Sequence, residues 1–418
     1  MKTVYVKAIG LFVALLVLGG AMPIAARDGL GYIVINGMVK DRLTKKKLEN
    51  VNISVPGTNI GTITNADGEF TIKVTDSLHV ATLDITHIGY FNQRFAVNGK
   101  DMKGVTIFLS PNSIVLNEIL IQGAQPLKLV IDAIHKIADN NSPNTNMLTG
   151  FYRETVKKRR SYISISEAVI NIYKTPYTEN VDGDRIQVYK GRQLLSPKSG
   201  DTLAVKLMGG PNLSVYLDVV KNPDLLLDLE TLSYYQFTMD KPVMINERPH
   251  YVVNFAPRVT LPYALFYGKL YIDQKTLAFS RAEFNLSMDD RNKATQAILK
   301  KKPYKLRFKP EEVSYLVTYK QHNDRSYLNY IRTEFDFRCD WKRKLFSTNY
   351  AIVSEMVVTN REEHNVINIP RKLTFNDKNS LSDKVGSFYD ENFWEDYNII
   401  APTESLDAAV NKLMKHQR

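Results

Sequence analysis

The chain has 418 residues, of which 44% are hydrophobic and 24% charged; this excludes a disordered or collagen-like protein and allows two or three domains. The formal net charge is +11, and two of those charges, Lys2 and Lys7, sit in the first ten residues. Over this length the surplus is modest, and the single cysteine, Cys339, excludes an internal disulfide.

Residues 1–26 have the three parts of a secretory signal peptide. Lys2 and Lys7 form a positive start, Ala8 to Leu18 an apolar run, and Ile24-Ala25-Ala26 a small-residue cleavage site ahead of Arg27 and Asp28. The apolar run is shorter than the ~20 residues a membrane-spanning helix needs. The pattern predicts an exported protein, periplasmic or outer-membrane associated. No cysteine stands near the cleavage site, so no lipid-anchored N-terminus is expected, and no later stretch is apolar enough to span as a helix.

Residues 31–110 read as short strands separated by turns. Ile33 to Val39 is strand-like, and Val51, Ile53 and Val55 alternate with polar neighbours, which turns one face inward. Thr62 to Thr64 runs into Asn65-Ala66-Asp67-Gly68 and then Glu69 to Val74. Glycine accepts positive φ at little cost and Asp67 can bond its own backbone, so Asn65, Asp67 and Gly68 are read as the structural turn of a hairpin. Leu83 with Ile85, Phe95 with Val97, and Val105 with Ile107 and Leu109 complete about seven strands, which predicts a β-sandwich.

The runs Gly37 to Asp41, Leu48 to Ile53, Pro56-Gly57-Thr58, Gly61 to Phe70 and Ile88-Gly89-Tyr90 together resemble the carboxypeptidase-regulatory-like domain. That resemblance covers about a fifth of the chain. It implies a transthyretin-like sandwich of the kind found in Bacteroidota envelope proteins, often at the N-terminus of TonB-dependent receptors. Leu116 to Ile121, in a linker of residues 111–125, resembles the strand that often follows this domain. A receptor barrel of about 22 strands would not fit in the remaining residues.

The family name does not bring a peptidase with it. A zinc carboxypeptidase needs a His and a Glu close in sequence plus a distant His. None of the seven histidines is followed three residues later by glutamate, and no His-Glu-x-x-His or Gly-x-Ser-x-Gly motif is present. No catalytic, metal or cofactor residues are therefore assigned.

Residues 126–418 form the second predicted domain. Leu127, Val130, Ile131, Ile134 and Ile137 share one face of a helix over 126–140, with Pro126 in its first turn. Clean alternation follows in Tyr162 to Tyr173, Gly268 to Asp273, Ala278 to Leu286, Val313 to Tyr319, Tyr327 to Cys339 and Tyr350 to Thr359. The stretch from Asp218 to Leu232 reads as helix or loop. Leu406, Ala409, Val410 and Leu413 mark a second amphipathic helix over 402–417. The predicted fold is mainly β: a seven-stranded N-terminal β-sandwich plus a larger curved antiparallel sheet, a half-barrel with packed helices. The order of helix and meandering hairpins resembles the lipoprotein-carrier (LolA/LolB-like) half-barrel. Gly150 to Glu154, Ser166-Glu167-Ala168 and Phe393-Trp394 resemble an uncharacterised Bacteroidota family that pairs this region with the regulatory-like domain.

Three cationic clusters, Lys157 to Arg160, Lys300 to Lys302 and Lys342 to Lys344, read as solvated turns or strand edges, or as contacts to anionic lipid headgroups. Nucleic acid is not an expected partner. Asp289-Asp290 and Glu311-Glu312 are adjacent pairs that point to opposite faces of a strand, so neither makes an acid–base dyad by itself. Glu362-Glu363-His364 lacks companions at ligand spacing, and Gly209-Gly210-Pro211 is a loop rather than a phosphate cradle. The 23 tyrosines and 18 phenylalanines fit cross-strand packing or the lining of a glycan or acyl-chain cleft. The sequence thus predicts a non-catalytic exported envelope protein, not an enzyme, that binds or scaffolds a ligand, lipid, glycan or envelope protein. The alternatives are a hydrolase whose site lies on the second domain and a small outer-membrane β-barrel.

Overall fold

The computed structural model describes residues 31–112, 125–198, 200–201, 203–342, 347–376, 381, 384–386 and 393–415. The signal-peptide segment 1–26, the strand expected at Leu116 to Ile121, and Arg343 and Lys344 lie outside the described residues.

The first seven strands are β1 (Tyr32–Asp41), β2 (Asn52–Ser54), β3 (Gly61–Ile63), β4 (Glu69–Thr75), β5 (Thr82–Thr86), β6 (Gln93–Ala96) and β7 (Met102–Leu109). They form two sheets, ordered β4-β1-β7 and β3-β2-β5-β6, with β1 and β7 parallel. The alternating residues meet between the sheets, where Ile35, Val39, Ile53, Ile72, Leu83, Ile85 and Leu109 are buried. The turn after β3 is not a hairpin: β3 and β4 belong to different sheets, so Asn65 to Gly68 carries the chain across the sandwich.

The larger body is one sheet built from β8 (Asn146–Lys158), β9 (Ser161–Lys174), β10 (Arg185–Leu195), β12 (Tyr235–Ile245), β13 (Arg248–Pro257), β14 (Phe266–Asp273), β15 (Phe279–Leu286), β17 (Leu306–His322), β18 (Arg325–Trp341) and β19 (Thr348–Glu362). Their order is β10-β9-β8-β19-β18-β17-β15-β14-β13-β12, antiparallel throughout, and the sheet is open: β10 and β12 are its two edges and do not pair. The outer-membrane barrel alternative is therefore corrected, since a barrel must close to leave no strand edge in lipid. Two-residue turns at Asn246-Glu247 and Asn323-Asp324, with φ positive at both positions, hold the hairpins β12–β13 and β17–β18, as the right-handed strand twist favours. A small ribbon of β11 (Lys206–Leu207) and β16 (Leu299–Lys301) lies apart from the sheet.

Register makes the sheet two-sided. Tyr152, Met356, Ile331, Val317, Ala282, Leu270 and Val253 lie opposite one another in a continuous buried row along the concave face. The helix Pro126–His135 packs there through Val130 and Ala133, together with Val219, Leu226 and Phe375 from two long connections. The predicted helix 126–140 is two pieces, Pro126–His135 and Ile137–Asn140, and Leu127 is exposed rather than part of the stripe. Asp218 to Leu232 contains only the short helix Pro223–Leu226. The C-terminal helix Glu404–Lys415 buries Leu406, Val410 and Leu413 against Ile165 of β9 and Leu194 of β10. Ile165 and Ala168 point to opposite sides of β9, so the two helices cover opposite faces of one sheet.

The sandwich sits on the convex face. Ile63 joins Phe151, Val169, Tyr330 and Val357 of the large sheet with Trp394 and Ile400. Asn52 Oδ1 accepts from Asn329 Nδ2 at 3.1 Å, and Asn59 Nδ2 donates to the Arg361 carbonyl at 2.8 Å. Residues 393–403 thread between the two bodies.

Candidate functional site

The predicted turn anchors the chain. Gly68 has φ +71°, and a Cβ there would come within 2.8 Å of the Val39 carbonyl oxygen. The self-bonding role expected of Asp67 belongs to Asn65, whose Oδ1 accepts from the amides of Asp67 and Glu69, both at 2.9 Å. Asn65 Nδ2 donates to the carbonyls of Ala401 and Pro402, and Asp67 Oδ2 accepts from the Glu404 amide at 2.9 Å, capping the C-terminal helix. All three residues thus serve contacts between chain segments.

One member of each carboxylate pair has a structural partner, as does Glu363. Asp290 caps the helix Arg291–Ile298 through the amides of Asn292 and Lys293, Glu311 pairs with Arg338 at 2.6 Å, and Glu363 pairs with Arg361 and accepts from Tyr327. Among the described residues no group of three His, Cys, Asp or Glu is placed to hold a metal ion.

One constellation that sequence reading missed has the residue types of a hydrolase. His250 Nε2 lies 2.8 Å from Ser280 Oγ, and Asp273 is near. The roles do not fit. Asp273 approaches the same ring nitrogen, at 3.8 Å, while Nδ1 faces the Arg248 carbonyl at 2.9 Å, so no carboxylate orients the ring for proton transfer. Asp273 is also committed to Arg248 at 2.8 Å and to the amides of Lys275 and Thr276. The space beside Ser280 is only about 50 Å³.

A second group missed from sequence is fully buried. Lys174 Nζ sits 2.9 Å from Asp184 Oδ2 and 2.8 Å from Asp218 Oδ2, and the hydroxyls of Tyr177 and Tyr319 donate to Asp218 at 3.1 and 2.8 Å. Burial pushes the Lys174 ammonium down, but the two carboxylates outweigh it and hold it above the usual lysine range. With every member paired, the cluster joins β9 to the connection after β10 and offers no free reactive group.

The open site lies at the end of the half-barrel where β8 turns into β9. A cavity of about 450 Å³ lies among Val156, Ile163, Leu203, Val205, Phe335 and Ile352. This size falls within the range of small-molecule sites. Glu154, Ser164 and Ser354 form part of its polar wall, and Ser196, Asp201, Lys206 and Lys300 also line it. Glu154 stands on β8 two residues from Tyr152, so both face the concave side, and the Tyr152 hydroxyl donates to Glu154 Oε2 at 3.1 Å. Desolvation raises the Glu154 pKa, against hydrogen bonds from Tyr152 and the Gly210 amide that lower it. Gly210, at φ +84°, brings this amide over the carboxyl, which is what the Gly209-Gly210-Pro211 loop does.

A wider groove of about 1110 Å³ adjoins the cavity, sharing Ser196 and Asp201 with it. Lys157, Lys158, Arg159, Arg160, Lys198 and Lys412 all line it. Asp201 is its acidic lining residue, already bonded to Ser196 at 2.7 Å and Lys158 at 3.1 Å, contacts that lower its pKa, that from Ser196 most. A mostly apolar chamber, with the Glu154 pKa raised by desolvation and Asp201, Lys206 and Lys300 also in its wall, thus opens beside a strongly cationic groove.

Fold and site together define a two-part β protein: a small sandwich seated on an open, curved sheet that carries a cavity on its concave side. Residues 35–121 match the family model described as the CarboxypepD_reg-like domain, which gives the N-terminal sandwich its family. Comparison with curated protein sequences gives no match. Among solved structures, the chain is similar to a DUF1329 family protein from Desulfovibrio piger ATCC 29098, at 10% identity and TM-score 0.25, over 59% of this chain and 96% of that one. It is also similar to a LolA superfamily protein from Nitrosomonas europaea, at 10% identity and TM-score 0.23, over 60% and 98% of the two chains. A third is MucB in its complex with MucA, at 13% identity and TM-score 0.16, over 57% and 100%.

Proposed function

We propose that this chain is a non-catalytic exported envelope protein whose large sheet binds an anionic amphiphile, with the charged head in the cationic groove and the apolar tail in the adjoining cavity. One observation carries the reading: six cationic side chains line a groove that shares its wall with a cavity of about 450 Å³. Burying an apolar tail there is favourable by roughly 25 cal/mol per Å² removed from water. Arginine and lysine at the mouth recognise a carboxylate or phosphate head. The Ser280–His250–Asp273 geometry supports a binding protein over a hydrolase. Placement in the periplasm or at the outer membrane rests on the signal-peptide pattern of residues 1–26.

Titration calorimetry with palmitate, hexadecanol and hexadecyltrimethylammonium tests the reading. Palmitate is expected to bind best and the cationic amphiphile worst. Arg160→Glu is expected to weaken palmitate binding while leaving hexadecanol unchanged. Absence of heat with all three amphiphiles, or preference for the cation, overturns it.

A further inference from the structure

We propose that the cationic end of the half-barrel is a docking surface for an anionic lipid bilayer, with the loop between β16 and β17 as its contact point and Tyr304 as an interfacial anchor. The three cationic clusters are far apart in sequence, yet the topology gathers their described residues at one end of the sheet. Lys157 and Lys158 end β8 and Arg159-Arg160 form the β8–β9 turn, and the Arg159 amide donates to the Asn349 carbonyl at the start of β19. The other end of that connection is the end of β18, where Trp341 pairs with Leu306 and the Lys342 amide donates to the Lys305 carbonyl at 3.2 Å. Lys301 pairs with Lys206 in the β11–β16 ribbon, which lines the cavity through Lys206 and Lys300.

Tyr304 distinguishes this surface from a merely solvated basic end. It follows Pro303 in the sequence Lys300-Lys301-Lys302-Pro303-Tyr304-Lys305 and is 86% exposed. Lys342 Nζ stands 4.9 Å from the centre of its ring. An exposed aromatic ring framed by lysines suits the headgroup layer, where the ring's apolar body and polar hydroxyl both find partners and the lysines meet anionic lipid. A nucleic acid would be served by a platform of several stacked aromatics, whereas this loop offers one. The cavity also opens at this end, so a tail leaving a bilayer would have a short path into it; that last point rests on the amphiphile reading, whereas the charge and the aromatic do not.

Co-sedimentation of the protein with vesicles tests the inference. One set is pure phosphatidylcholine and the other contains about 30% phosphatidylglycerol. The protein is expected to pellet with the anionic vesicles only, and to be released at about 0.5 M salt, where screening shortens the range of the field. Lys301→Glu together with Lys302→Glu, both exposed, is expected to lower partitioning by at least roughly fivefold per lysine. Tyr304→Ala is expected to lower it further, with palmitate binding and the melting temperature unchanged in both variants. Equal pelleting with both vesicle types, no pelleting, indifference to these substitutions, or binding of duplex DNA in place of vesicles each overturns the inference. Palmitate binding measured on the same samples reports separately on the amphiphile reading.

Discussion

Arg153 and Glu167 face each other across β8 and β9, Nε to Oε1 at 2.8 Å, with both side chains almost wholly buried. They belong to a row on the convex face in which Arg192, Glu167, Arg153, Glu355 and Arg332 stand opposite one another on five successive strands. Glu167 is held from both sides, with Arg192 Nη2 at 2.7 Å from its other oxygen. Arg153 Nη2 also donates to the Ile400 carbonyl at 2.8 Å, and the Arg192 guanidinium lies 4.8 Å from the centre of the Trp394 ring. The row therefore straps residues 393–403 onto the sheet.

Glu167→Gln leaves two buried guanidinium groups facing a neutral amide. Breaking one partner of such a group costs roughly 3–5 kcal/mol. Urea unfolding at neutral pH is expected to show a loss of that size, together with faster proteolysis in 393–403.

The same residue sets a pH dependence. Burial raises the Glu167 pKa, but Arg153 and Arg192 outweigh it and hold the carboxyl below its ordinary value of 4.5. A depressed folded pKa means the stabilisation is present above the unfolded value and is lost as pH falls through the folded one. Stability of the wild-type protein is expected to drop below pH 4.5. Glu167→Gln should show a shallower drop, measured as melting temperature against pH.

Glu154 behaves in the opposite sense. Desolvation lifts its carboxyl above the usual range, so it neutralises first as pH falls. An apolar tail is best accommodated beside the neutral acid, so palmitate affinity is expected to fall as pH rises through the Glu154 pKa. Glu154→Gln should hold the high affinity across that range, as calorimetry at several pH values would show.

Gly68→Val places a β-branched side chain at φ +71° and drives Cβ against the Val39 carbonyl. A loss of at least about 1 kcal/mol is expected in denaturant unfolding. The turn also holds Ala401 and Pro402, so cleavage in 393–403 should quicken as well.

Cys339 lies on the buried face of β18, 3% exposed, and burial pushes its thiol up to about 12. It is expected to resist a thiol reagent such as DTNB at pH 8 in the native protein and to react fully in denaturant. Rapid native reaction would contradict its placement in the sheet.

The strands and their inward faces were legible in the sequence because a period of two is a local property: Ile331, Thr333, Phe335, Phe337 and Cys339 do point to the concave side, with Arg332 and Glu334 outward. The sandwich was legible because turn residues and short alternating runs constrain its strands locally. The amphipathic C-terminal stripe was legible for the same reason, at helical period.

What joins distant segments was not legible. The pairing of β8 with β19 sets Tyr152 beside Met356 across some two hundred residues, and no local pattern specifies that partner. Lys174 gave no signal, since its meaning comes from Asp184 and Asp218 after folding. Gly150 to Glu154, Ser166 to Ala168 and Phe393-Trp394 could be matched as separate motifs; only the folded chain brings Phe151 onto Trp394, ring centres 5.4 Å apart, and Arg153 onto Glu167. The three lysine-rich clusters looked like separate solvated turns, because charge along a chain reports exposure but not which exposed turns are neighbours. The sheet's long-range register decided that the described residues of these clusters share one end with the cavity, and register depends on burying the whole row from Tyr152 to Val253 at once.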